Sequence, residues 1–345
     1  MPGKTYRIAQ WGTGNVGMRA LRSIIEHPSM KLVAVRVFSD AKVGKDAGEL
    51  CGLAPVGIAA SQGIEEIIAA KPDCVIYLPD QPDLGDICRL LASGANIATA
   101  CLGFNHRDSI EPGNRALLEE ACAKGGTSLY STGSSPGWST ETMPLTLMAM
   151  QRHFDSLTIT DYADMTSRDS PAMLSRLGFG ADPATMPPDR QPVTVMSTTP
   201  SFRALGDAIG MPLDEVVGSV EYATARNREQ IAIGAIEAGT IAGIRMGVFG
   251  VRGGKRIFQR YSTWYVARDL EPAWELRNSG WRMQVKGDTP LDVSIAFDVA
   301  DEHYADYSPG LTAHPVINAA IHVIEARPGL LQTDDLPTMI PTLIV

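Results

Sequence analysis

Between Tyr6 and Tyr130, short apolar runs alternate with amphipathic segments, which is how parallel strands joined by crossover helices read. The predicted strands are 6–10, 31–38, 74–78, 96–100 and 127–131. Val16, Ala20 and Ile24 share one helical face, and similar stripes follow at Ile64, Ile67 and Ile68, at Leu84, Ile87 and Leu91, and at Leu117, Leu118, Ala121 and Cys122. The expectation is an α/β chain whose first domain, 1–138, is a doubly wound parallel sheet.

Beyond Ser139 the strands lengthen and turn residues punctuate them. Strands are expected at 157–163, 218–225, 244–251, 256–266, 281–286 and 291–298, with Arg252-Gly253-Gly254-Lys255 as a hairpin turn. Such a meander makes an open, mainly antiparallel sheet, so 139–310 reads as a second, α+β domain. The segment 182–200 holds Pro183, Pro187, Pro188, Pro192 and Pro200 and reads as an irregular loop or arm. Thr312 is the predicted cap of a last helix through Val316, Ala320 and Val323, stopped by Pro328 and Gly329 and leading into a tail, 311–345 together.

A length of 345 residues supports about two such domains. The net charge of −9 with no basic run argues against a nucleic-acid partner. The N-terminus lacks a signal-peptide pattern and no apolar stretch approaches the roughly 18 residues of a membrane helix, so a cytoplasmic chain without a membrane partner is expected. The five cysteines, Cys51, Cys74, Cys88, Cys101 and Cys122, have neither disulfide nor zinc spacing and read as reduced core thiols. No HxH or HExxH pairing occurs among the six histidines, so no metal is expected, and a GxSxG elbow is absent too.

Chemistry enters with Gly12-Thr13-Gly14-Asn15-Val16-Gly17, a GxGxxG that follows a predicted strand and opens a predicted helix. In that context Gly12 permits the tight turn, Gly14 lets a pyrophosphate approach the backbone, and Gly17 lets helix and strand pack closely, which is the Rossmann dinucleotide site. The second strand then ends in Arg36-Val37-Phe38-Ser39-Asp40-Ala41-Lys42. An acid there binds a ribose 2′-hydroxyl, whereas hydroxyl and cationic groups accept a 2′-phosphate. Ser39 stands where the acid is usual, Asp40 comes late, and Lys42, Lys45 and Arg36 add charge, which favours NADP over NAD. Leu78, Pro79 and Asp80, and the segment 99–103, are expected to border the same crevice.

With these glycines placed, the whole chain resembles the dihydrodipicolinate-reductase-like NAD(P)-dependent oxidoreductases, in the branch of 2,4-diaminopentanoate dehydrogenase and the native amine dehydrogenases. Four stretches carry the resemblance: 10–17, Val43-Gly44-Lys45-Asp46-Ala47-Gly48-Glu49-Leu50, Ser131-Thr132-Gly133-Ser134-Ser135-Pro136-Gly137-Trp138, and Ala326-Arg327-Pro328-Gly329-Leu330. The resemblance implies a homodimer built largely through the second domain's sheet, a substrate cleft between domains, and a last helix returning to the Rossmann domain. It also implies that the turn holding Ser135 lies beside the nicotinamide and that Trp138 walls the substrate pocket. Trp138 reads equally well as a core residue at the domain junction. Two departures stand out. Where the amine dehydrogenases carry a glutamate after the strand 96–100, this chain has Cys101-Leu102-Gly103-Phe104. The His-His…Lys substrate motif of true dihydrodipicolinate reductases is also missing, which disfavours a lysine-biosynthesis role.

The expected function is hydride transfer between nicotinamide and a carbonyl or imine carbon of a small to medium-sized substrate; Trp138, Phe179, Trp264 and Trp281 read either as the walls of a largely apolar pocket or as core aromatics. Candidate proton donors are Tyr162, Asp164, Arg168, His303 and His314. Asp164, at a strand end, reads as an acid–base group or as an acceptor for nearby backbone. Arg168 reads as a carboxylate clamp or a surface residue, and His314, in the first turn of the last helix, as a proton carrier or a packing residue. Two rivals stand beside this reading: an amine dehydrogenase that handles its proton without the glutamate, and a non-catalytic NADP-binding sensor.

Overall fold

The structure, a computed structural model, describes residues 4–187, 189–300 and 303–342; Pro188 lies outside them. Two compact units emerge, Met1–Trp138 with Tyr307–Val345, and Ser139–Asp306.

The first unit is a parallel seven-stranded sheet in the order β16-β6-β5-β4-β1-β2-β3. Its strands are β1 (Tyr6–Trp11), β2 (Met30–Arg36), β3 (Ala60–Ser61), β4 (Cys74–Tyr77), β5 (Asn96–Thr99), β6 (Ser128–Ser131) and β16 (Gly329–Leu331). Strand order reverses at β1, with β2 on one side and β4 on the other, and that switch point opens a crevice at the strands' carboxyl ends. One face of the sheet packs on helix α1 (Asn15–Glu26) through Ala20, Leu21 and Ile24 and on α9 (Tyr304–Glu325) through Ala313, Val316, Ile317 and Ala320. The opposite face packs on Ile87, Leu90 and Leu91 of α4 (Leu84–Ala92) and on Leu118 and Cys122 of α5 (Pro112–Gly125).

Three elements differ from expectation. Helix α9 starts at Tyr304, so Thr312 and His314 lie in its interior although Pro309 and Pro315 interrupt its hydrogen bonding. An interior proline costs about 3 kcal/mol, which is offset here by burying Ala313, Val316, Ile317, Ala319, Ala320 and Val323 along one stripe. The proline-rich segment is likewise more regular than expected: a 3-10 turn spans Pro183–Thr185, and α8 (Val195–Ala208) runs straight through Pro200. Phe202 and Leu205 of α8 are buried in the second unit's core, and Thr198 and Ser201 are buried with them, which secures the helix despite the lost donor. β16 and β3 are too short for periodicity to register.

The second unit's sheet is open and mainly antiparallel, ordered β13-β8-β11-β12-β7-β14-β15. It comprises β7 (Phe154–Asp164), β8 (Glu215–Ala225), β11 (Ile241–Arg252), β12 (Lys255–Tyr265), β13 (Leu270–Glu271), β14 (Gly280–Gly287) and β15 (Leu291–Ala296); β9 (Glu229–Ile231) and β10 (Gly234–Ile236) pair separately. The order is not a simple meander, because β7 inserts between β12 and β14 and runs parallel to β12. Phe258 is fully buried there, its ring centroid 5.9 Å from that of Phe154 and 5.5 Å from that of Phe202. Phe258→Ala is expected to cost about 3–5 kcal/mol of stability by denaturant titration; a loss under about 1 kcal/mol would contradict this packing.

Candidate cofactor and active site

Two cavities follow the strand ends of the first unit. One, of about 480 Å3, is lined by Gly12, Thr13, Gly14, Phe38, Ser39, Lys42 and residues 78–81. The other, about 320 Å3, shares Gly14 and residues 78–80 and continues past Asn15, Val16 and Gly17 to Ala100, Cys101 and Thr312.

The three motif glycines serve different ends. Gly12 has φ +91°, and a Cβ on it would lie 2.6 Å from the Leu78 carbonyl oxygen. A Cβ on Gly17 would lie 2.2 Å from the Gly12 carbonyl oxygen, so only glycine lets α1 lie so close to the turn. Gly14 is the opposite case, with nothing within 4 Å of the place a Cβ would take. Helix α1 has no side-chain cap and no acid in its first turn, leaving its first N–H groups and positive dipole end open to an anion.

The loop after β2 is pinned to this turn. Lys42 Nζ donates to the Thr13 carbonyl at 2.7 Å and lies 3.3 Å from its hydroxyl. Asp40 is held aside by Gln62, whose Nε2 donates to Oδ1 at 2.8 Å. Ser39 leads into the short turn without capping it, so its hydroxyl is not spent there. Arg36 is drawn into a stack, its guanidinium 4.2 Å from the Trp11 ring centroid and 4.4 Å from that of Phe38, while Lys45 lines neither cavity. Further along, the Asp46 carboxylate accepts from the N–H groups of Val56, Gly48 and Gly57 at 2.7–2.9 Å. These bonds, Val56's foremost, hold its pKa below the usual carboxylate range against an opposing push from desolvation. A Cβ on Gly48 would meet the Ala54 carbonyl at 2.0 Å, which accounts for glycine in this stretch.

The turn after β6 is closed by the Trp138 N–H donating to the Gly133 carbonyl at 2.7 Å, around a cis Ser135–Pro136 peptide. Within it the hydroxyls of Thr132 and Ser135 are buried without a hydrogen-bond partner among the described residues. Trp138 itself is half-buried. Cys101 is buried at the end of β5, and burial pushes its thiol pKa up, opposed by a hydrogen bond with Thr99 and reinforced by the charge of Asp80. It is a neutral thiol at neutral pH.

The other sequence candidates line neither cavity. Asp164 Oδ1 accepts from the Thr166 N–H at 3.1 Å and hydroxyl at 2.7 Å, and Oδ2 faces Arg268 at 3.3 Å. Arg168 stacks over Tyr304 at 4.9 Å, and His303 faces Asp306 at 3.5 Å. Tyr162 lines a separate hollow of about 240 Å3 on the second sheet, with Thr160, Glu221, Arg245, Tyr261, Thr263 and Glu275. His314 sits about 200° around the helix from Thr312, and its pKa is lowered by desolvation first and by Arg19 second. Phe179 is buried in the second unit's core, Trp264 donates to Asp161 at 2.9 Å, and Trp281 packs edge-on against Phe297. Thr312 was readable only as a cap, yet it is the residue α9 brings to the crevice. Among the described residues no cluster of His, Cys, Asp or Glu is placed to hold a metal, and no helix is long and apolar enough to cross a membrane.

Residues 193–344 match the family model of the 2,4-diaminopentanoate dehydrogenase C-terminal domain. An amine dehydrogenase of Streptomyces virginiae is 31% identical over 348 residues, covering 95% of each chain. The chain belongs to this amine dehydrogenase family. The amine dehydrogenase structure from Mycobacterium smegmatis shares the fold, with a TM-score of 0.75 at 17% identity over 99% of this chain and 98% of that one. GenD2 from gentamicin A biosynthesis, solved in complex with NAD, shares it more loosely, at TM-score 0.51 and 13% identity over 97% and 91%.

As a member of the amine dehydrogenase family the protein is an NAD(P)-dependent oxidoreductase acting on a small molecule. A nicotinamide dinucleotide fits the residues present. The empty space over Gly14 and the uncapped start of α1 are the features such a ligand would fill, whereas Ser135 lines neither cavity.

Gly14→Val is expected to abolish cofactor binding while leaving the melting temperature within about 2 °C, whereas Gly17→Ala, forced onto backbone, lowers stability by more than about 1 kcal/mol. Normal cofactor affinity in folded Gly14→Val, by calorimetry, would remove the binding role of the turn. A second expectation concerns pH. Because folding depresses the Asp46 pKa, its stabilisation is full above the unfolded value near pH 4 and is lost as pH falls through the lower folded value. Asp46→Asn should therefore melt lower than wild type at pH 7, the gap narrowing only below about pH 4; equal melting at pH 7 would contradict this.

Proposed function

We propose that the protein transfers hydride from NADPH, in preference to NADH, to a carbonyl or imine carbon of a small to medium-sized, largely apolar substrate. The carrying observation is the loop after β2, where Ser39 and Lys42 line the larger cavity while Asp40 is tied to Gln62. A hydroxyl and an ammonium suit a 2′-phosphate; an acid would repel it. The bound cofactor supplies the hydride. Residues 12–17 bind its pyrophosphate, Leu78 and Pro79 border it, Ser135 meets its nicotinamide half, and Trp138 walls off the substrate and excludes water.

Proton delivery falls best to Asp80, a carboxylate lining both cavities. Asp164 spends its oxygens on Thr166 and Arg268, Arg168 stacks on Tyr304, and His314 turns away from the cavity wall that Thr312 forms. Asp80→Asn should lower kcat at least about tenfold while leaving the Kd for NADPH within twofold; an unchanged kcat would return the role to His314, tested as His314→Asn.

A second reading, reductive amination, is favoured by the amine dehydrogenase of Streptomyces virginiae. The uncharged run 101–104 speaks against it, since no carboxylate there awaits the amine proton. We further propose a cytoplasmic homodimer that buries the second sheet's face around Tyr162 and Tyr261. Five unpaired thiols suit a reducing compartment, and that face carries a partly exposed polar hollow. Light scattering at twice the chain mass is the expected result.

Fluorescence titration should give NADPH the lower Kd, with Ser39→Asp shifting preference toward NADH; an NADH affinity equal to or above that for NADPH would overturn the assignment. Ketones and aldehydes assayed with NADPH should be reduced, and adding ammonium should yield little or no amine. Robust amine formation would establish the second reading instead.

A further inference from the structure

We propose that the first unit carries a second ligand site, at the open edge of its sheet, that takes a free α-amino acid. β16 ends the sheet there, and a cavity of about 390 Å3 lies along it, lined by Arg107, Glu119, Arg327, Asp335 and residues 328–331. None of these residues lines either of the two cavities at the cofactor crevice. The volume falls within the roughly 300–1,000 Å3 of small-molecule sites, and the charged lining selects a charged ligand.

The main chain supplies the first part of the match. The Gly329 N–H donates to the Thr127 carbonyl at 3.0 Å, and the Ser128 hydroxyl donates to the Arg327 carbonyl at 3.1 Å, so this stretch is tied to the start of β6. Successive residues of a strand face opposite sides, so Leu330 turns its N–H and C=O to the open edge. Its side chain is buried in the core, and what it gives the cavity is main chain. A donor and an acceptor one Cα apart complement the carboxylate and ammonium of an α-amino acid, themselves one Cα apart. Beside them Gly329, at φ +144°, leaves open space where a Cβ would stand.

Charge points to the same ligand. Arg107 is fixed by Gln332 Oε1, which accepts from its backbone N–H at 3.0 Å and from Nε at 3.2 Å, and by an ion pair with Asp335. Arg327 and Glu119 are placed differently. Among the described residues Arg327 has no ion-pair partner, and Glu119 comes no nearer than 4.0 Å to Arg115. A cation and an anion therefore face one cavity without closing on each other, and a zwitterion between them pairs with both. A bare anion would satisfy Arg327 against the charge of Glu119, and a bare amine would do the reverse.

The test is calorimetry on the full chain with the common amino acids one at a time, and with acetate and methylammonium as single-charge controls. At least one amino acid should bind with a Kd of about 1 mM or tighter, and both controls at least about tenfold more weakly. Arg327→Gln and Glu119→Gln, both at exposed positions, should each weaken that amino acid about tenfold or more and leave the Kd for NADPH within twofold. NADPH should not displace it. No binding by any amino acid at about 10 mM, a control as tight as the amino acid, full affinity in either variant, or displacement by NADPH would overturn the site. None of these results bears on the cofactor reading, which the NADPH titration tests by itself.

Discussion

The closest backbone approach at the site sets everything around it. Gly17 lies so near the Gly12 carbonyl that no side chain fits between them, and that contact fixes where α1 begins relative to β1. The first N–H groups of α1 are thereby aimed across the crevice at the sheet's switch point. Leu78, beyond β4, packs against Gly12 on the other side, so the turn is fixed from both flanks.

From this anchor the remaining parts are attached by polar contacts rather than by bulk. Lys42 ties the loop after β2 to Thr13, Gln62 restrains Asp40, and Asp46 gathers three backbone N–H groups to brace the same loop from behind. The loop can therefore present Ser39 without a large core of its own. The turn after β6 works differently: it folds on itself through Trp138 and Gly133, is covered by α9, and keeps two hydroxyls unsatisfied. Leaving a buried hydroxyl without a partner costs roughly 1–3 kcal/mol.

Much of this was legible in the sequence because it rests on short-range rules. Glycine spacing, strand alternation and helical stripes depend on near neighbours, so β1, α1 and the GxGxxG turn could be placed from their own residues. The same holds for most of the residues that line the two cavities. What escaped depends on distant partners. Pro200 read as a breaker, because the burial that outweighs it comes from strands far along the chain. Thr312 looked like a cap, since nothing nearby reveals that Ser134, 178 residues away, pairs with its hydroxyl. Asp164 and Arg168 looked chemically promising for the same reason: only the fold shows that Thr166, Arg268 and Tyr304 already occupy them.

The proposed function puts a nicotinamide dinucleotide carrying a 2′-phosphate in the crevice at the ends of β1, β2 and β4. The most direct measurement is a crystal structure of the protein grown with NADPH. The expected result is pyrophosphate density over the N–H groups of Asn15, Val16 and Gly17, and a 2′-phosphate within about 3 Å of the Ser39 hydroxyl or Lys42 ammonium. Density for the dinucleotide elsewhere, or a 2′-phosphate pointing away from both groups, would contradict it.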